Sequence, residues 1–135
     1  MPFNHELWNL GQQIEDKTLP HINKHYECQF EKNLNDIFDV LDFKDEINKK
    51  IVEIKGRRNR SDTYEDTMIS SIKITEGMKQ IDLGYRVFFV FVFTDKTMEI
   101  ELKEDQEWKC RISGTNSILH YFIPVADLSE INIDD

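Results

Sequence analysis

The stretch Arg86 to Thr94, Arg-Val-Phe-Phe-Val-Phe-Val-Phe-Thr, constrains the fold more than any other in this chain. It has no polar alternation and is dominated by β-branched and aromatic residues, the pattern of a central strand covered on both faces. Its core, Val87 to Phe93, is the longest apolar run, far short of the roughly 20 residues a membrane helix needs. A second strand follows the turn at Asp95-Lys96. There Met98, Ile100 and Leu102 alternate with Thr97, Glu99, Glu101 and Lys103, which predicts a strand nearer the sheet edge with one wet face.

Upstream, Leu7, Leu10 and Ile14, then Leu19 and Ile22, recur at helical spacing from His5 to about Tyr26. Pro20 should kink or split this helix, because it removes a backbone donor and crowds the preceding turn. Cys28 to Asp36 reads as a polar connection. Two strands are then expected, Phe38 to Phe43 and Lys50 to Arg58. Asn59 to Asp66 is a loop by composition, and Asp66 or Thr67 is expected to cap a helix running to about Asp82, with Gly84 as its stop. Two short strands, Trp108 to Ile112 and His120 to Pro124, and a short terminal helix over Val125 to Ile131 complete the reading. Together these elements predict an α/β fold, a mixed central β-sheet flanked by helices, in one domain spanning 1–135.

Several functions are excluded or made less natural by the same residues. Cys28 and Cys110 are far apart and form no metal-ligand or disulfide framework. The start, Met1-Pro2-Phe3-Asn4-His5-Glu6, lacks the order of a signal peptide, so a soluble intracellular protein that engages no membrane is expected. His5, His21, His25 and His120 are scattered with no HExxH frame, and no Gly-rich phosphate loop is present. The formal charge of −9 argues against a chain coated in base for nucleic-acid binding. Yet Lys44, Lys49, Lys50, Lys55, Arg57, Arg58 and Arg60 place 7 of the 17 basic residues in one short segment, and a locally basic surface can still hold phosphate.

That basic segment adjoins acids placed inside apolar strands, where a charge is costly unless it meets a partner or a metal. Glu-x-Lys occurs four times, at Glu15, Glu53, Glu101 and Glu107, so the triplet alone has little value. Glu15 lies on a helix and Glu107 at a loop edge. The Asp95-Lys96 turn is expected to set Glu101 opposite Val90, with no acid facing it. Glu53 differs because it stands between Val52 and Ile54, and the preceding strand offers Asp39 or Asp42. An odd number of loop residues would align Asp39 with Glu53 and an even number Asp42. Asp39, between Phe38 and Val40, is the preferred choice, with Asp42 as its alternative.

In order along the chain stand Gly11-x-x-x-Glu15, Phe38-Asp39, Val52-Glu53-Ile54-Lys55-Gly56-Arg57, Tyr64-x-x-Thr67-Met68-Ile69 and Lys73. This order resembles the PD-(D/E)xK nuclease superfamily, in particular its small stand-alone members from viruses and phages. The resemblance covers about residues 5 to 100, and Phe38 replaces the characteristic Pro before the Asp. It implies a restriction-endonuclease-like core and a divalent-metal nuclease acting on nucleic acid, DNA first. Carried onto this chain, Asp39 and Glu53 would hold Mg²⁺, with Mn²⁺ able to substitute, and the Ile54 carbonyl would add a ligand. Lys55 would orient or deprotonate the attacking water, and Glu15 would complete the outer shell or a second metal site. Arg57, Arg58 and Arg60 would grip phosphates, and Lys73 is a further phosphate candidate. Two other readings stay open: a catalytically inactive module of the same fold that binds nucleic acid or a host protein, and a structural Glu53-Lys55 ion pair. Pairing into a homodimer also stays open.

Overall fold

The computed structural model describes residues 5–32, 41–113 and 118–132. In chain order the elements are α1 (His5–Tyr26), β1 (Glu31–Lys32), β2 (Phe43–Asp45), β3 (Lys50–Gly56), β4 (Asp66–Ser70) and α2 (Ser71–Asp82). They continue with β5 (Arg86–Val92), β6 (Thr97–Glu101), β7 (Lys109–Ser113), β8 (Ile118–Pro124) and β9 (Ser129–Ile131). A mixed six-stranded sheet has the order β1-β2-β3-β5-β6-β9, and a separate sheet has the order β4-β8-β7. Among the described residues only the β3–β5 pair is parallel, and the crossover between them contains β4 and α2, as parallel neighbours require.

The unbroken apolar run of β5 is explained by two cores. Phe88 and Val90 pack with Val52 and Ile54 against Ile22 and Tyr26 of α1. Val87, Phe89 and Phe91 pack with Ile51 on the opposite face, against Ile74 of α2 and Ile69 and Ile123 of the second sheet. Helix α2 comes close to the sheet because Gly77 has no side chain: a Cβ there would stand 2.5 Å from Leu102 Cδ2. The helix ends as expected at Gly84, with φ +98°. Gly84 N–H donates to the Ile81 carbonyl and Tyr85 N–H to Gln80, a Schellman ending.

Several expectations are corrected. Pro20 does not split α1, whose two halves are both anchored, by buried Thr18 before it and Ile22 and Tyr26 after it, while Pro20 itself faces solvent. The first hairpin strand is Phe43–Asp45 rather than 38–43, and residues 38–40 lie outside those described. Asp45 is what fixes the turn: its carboxylate accepts the amides of Ile47, Asn48 and Gln29, which hold it well below the usual carboxylate range. Residues 66–70 are a strand, not a helix start, because Thr67 and Ile69 point into the core while Met68 points out. The tail forms a 3₁₀ turn, Val125–Asp127, and then β9, since Ile131 is buried and pairs with Thr97. β6 is nearer the sheet edge, as expected, with β9 outside it. Its register places Glu99 opposite Val90, and Glu101 opposite Phe88, where it forms a two-pronged ion pair with Arg86 at 2.9 Å. No helix among the described residues is long and apolar enough to cross a membrane.

Candidate active site

Strand β3 alternates, so Glu53 and Lys55 share the face that looks toward α2 and the second sheet, while Val52 and Ile54 look toward α1. Glu53 sits opposite Phe89 of the adjoining β5 and is 0% exposed. The hairpin closes at Asp45↔Lys50, so its loop, residues 46–49, has an even number of positions. That parity carries Asp42, just before β2, to a place opposite Glu53. The Asp42 amide donates to Glu53 Oε1 at 3.0 Å, and the Ile54 amide donates to Asp42 Oδ2 at 3.3 Å. The pairing of the two strands is thus completed by side chains where the backbone ladder stops. Asp39, the other choice, lies outside the described residues.

Glu15 reaches toward this pair from α1, near enough for its charge to act on Asp42. Burial raises both carboxyls, and for Asp42 the charge of Glu15 raises it further. Burial also pushes Glu53 up to about 7, against the downward pull of Lys55 and Lys73. Both lysines approach the same oxygen: Lys73 Nζ lies 2.9 Å and Lys55 Nζ 3.2 Å from Glu53 Oε2. These are ion pairs, and no well-angled hydrogen bond reaches that buried oxygen. Lys73 stands in the first turn of α2, directly after β4, and its side chain is 19% exposed against 36% for Lys55.

Among the described residues no three His, Cys, Asp or Glu side chains are gathered closely enough to hold a metal ion. The donor set nevertheless fits magnesium by its chemistry. Mg²⁺ commonly takes one or two carboxylates from a protein and fills its remaining positions with waters and substrate phosphate. Asp42 and Glu53 are such a pair, held by reciprocal amide bonds, and Glu53 Oε2 is a buried acceptor whose present neighbours are cations.

The expected phosphate-binding residues have different surroundings. Arg57 donates from Nε to Thr67 Oγ1 at 3.2 Å and from Nη2 to the Met68 carbonyl, and its guanidinium lies over the Phe91 ring. It joins the end of β3 to the edge of β4. Arg58 is exposed. Arg60 is also exposed but pairs with Asp62 at 3.1 Å and with Asp95 at 3.8 Å. Lys73, read from sequence as a phosphate candidate, is brought to Glu53 instead. The signal that could have placed it is the inward and outward alternation of Thr67-Met68-Ile69, which makes 66–70 a strand and starts the helix two residues before Lys73.

A family described as "Phage putative PDDEXK endonuclease" matches residues 12–117. No curated protein and no solved structure matches the chain.

Proposed function

Since the chain belongs to the phage PD-(D/E)xK endonuclease family, we propose that it is a magnesium-dependent nuclease that hydrolyses phosphodiester bonds, with DNA as its substrate. The observation that carries this reading is the burial of Glu53 between the Asp42 amide and two lysine ammoniums. A carboxylate with no solvent contact and a raised pKa is costly to maintain and marks a functional place. Asp42 and Glu53 would hold Mg²⁺, or Mn²⁺ in its place, with the Ile54 carbonyl as a further ligand and Glu15 behind Asp42. Bound there, the cation would supply charge to the phosphate and a more acidic water.

The chain's own residues do the rest. Lys55, the more open of the two lysines, would orient the attacking water and hold the phosphate's charge through its Nζ ammonium. Lys73 neutralises Glu53 in the metal-free protein and would offer its ammonium to a phosphate oxygen of the substrate. Arg58 offers a charge on the open surface beyond β3.

A cleavage assay on linear and circular, single- and double-stranded DNA, with and without Mg²⁺, tests the reading. Wild-type protein should cut only with the metal. Glu53→Gln should nearly abolish cutting while the fold persists, and Lys55→Ala should stop turnover while metal binding stays. Protein that cuts nothing in Mg²⁺ or Mn²⁺, and whose melting temperature ignores both, would instead be a non-catalytic module.

A further inference from the structure

The outer face of the small sheet brings cations, an aromatic ring and exposed apolar side chains together. Cross-strand neighbours on one face are Met68, Phe122 and Lys109 in one row, and Ser70, His120 and Arg111 in the next. The other face of the same sheet carries Thr67, Ile69 and Ile123 into the core. On the outer face the Arg111 guanidinium stands 4.0 Å above the centre of the Phe122 ring. Phe122 is itself 9% exposed, so the arginine is seated on a buried aromatic floor rather than free in solvent. Lys109 and Met68 are exposed beside it, and Tyr64, 64% exposed, lines a hollow together with Arg57, Asp66, Met68, Arg111 and Phe122.

We propose that this face binds an unpaired nucleic-acid strand and delivers it toward Glu53. Charge complementarity names the occupant: Lys109 and Arg111 point outward from neighbouring rows, with Asp66 the one acid among the described residues that line the hollow, on a protein of net charge −9. Flat groups narrow it further, because a seated guanidinium and an exposed tyrosine offer stacking surfaces, and only unpaired bases present a face to stack on. Continuity supplies the direction. β4, the edge strand of this face, runs directly into α2, whose first turn puts Lys73 on Glu53, and Arg57 bridges the β4 edge to the end of β3. The inference rests on the nuclease reading only for that direction. Binding itself needs neither metal nor carboxylates.

The test is fluorescence-anisotropy binding of a short labelled single-stranded oligonucleotide, and of its duplex, in chelator and over a range of salt. Arg111→Ala should weaken single-strand binding roughly tenfold and lower the salt slope by about 0.7 for the lost phosphate. Lys109→Ala should lower the slope by a similar step. Arg111→Lys keeps the charge and loses the flat group, so it should keep the slope and still lose affinity. Melting temperature checks that each variant is folded. Unchanged affinity and slope in folded Arg111→Ala, or a wild-type preference for duplex, would overturn the inference. Arg111-dependent binding by a protein that never cuts would sink the nuclease reading and leave this surface standing. Cutting that is indifferent to Lys109 and Arg111 would do the reverse.

Discussion

A carboxylate with no exposed surface must be protonated, ion-paired or bound to a metal, and Glu53 is ion-paired with Lys55 and Lys73. Its ordinary pKa near 4.5 applies in the unfolded chain, and burial raises it to about 7 in the fold. The folded protein therefore holds the proton more tightly, so the contribution of this group to stability is fully present below about pH 4.5 and is lost as pH rises through about 7. The loss is on the order of 3 kcal/mol. Asp42 and Glu15, both raised, act in the same direction. The metal-free protein should accordingly melt at a lower temperature near pH 8 than near pH 5. Glu53→Gln should flatten that dependence and melt above wild type near pH 8, as differential scanning calorimetry would read. A wild-type melting temperature that climbs steadily over this range would mean that Glu53 is ionised at little cost. Much of this residue's role was legible, since an acid between Val52 and Ile54 is already anomalous. The choice of Asp42 over Asp39 as the neighbour seen here was not, because it depends on the parity of a loop whose turn is set by Asp45.

At the scale of elements, the site is held by contacts between strands and helices rather than by its own charges. The end of β3 is tied to the β4 edge through Arg57, which fills two hydrogen bonds and covers Phe91. Arg57→Ala should cost about 1 to 3 kcal/mol in urea unfolding, whereas Arg58→Ala, at an exposed position, should leave stability within about half a kcal/mol. Equal stability of the two variants would mean the Arg57 contacts contribute nothing. Helix α2 depends on Gly77 for its approach to Leu102 and Val87, and Gly77→Val should destabilise by about 1 to 3 kcal/mol through overpacking. A folded, equally stable Gly77→Val would contradict that close approach. The long α1 and the β3, β5 and β6 strands could be read from periodicity. β4 and β9 could not, because a short strand whose pairing partner lies far along the chain has only two or three positions in which to show alternation, and residues 66 and 67 also suit a helix cap.

For the whole molecule, a mixed sheet with α1 on one face, and α2 and a second sheet on the other, agrees with the α/β class expected from the chain and with its family. The second sheet was the architectural surprise: β7 and β8 were foreseen singly and β4 was not, and nothing in a single strand's composition tells which of two sheets it joins. The basic charge in residues 44–60, conspicuous in sequence, is partly taken up by contacts within the chain, with Lys44 and Lys49 over the Tyr85 ring, Arg57 between the two sheets and Arg60 beside Asp62. The account rests on Asp42 and Glu53 forming one cation site, and calorimetric titration of Mg²⁺ into the metal-free protein near pH 8 addresses that claim directly. Wild type should bind the ion, and both Asp42→Asn and Glu53→Gln, each shown folded, should lose most of the affinity. Equal Mg²⁺ affinity in all three proteins, or none in wild type, would contradict it.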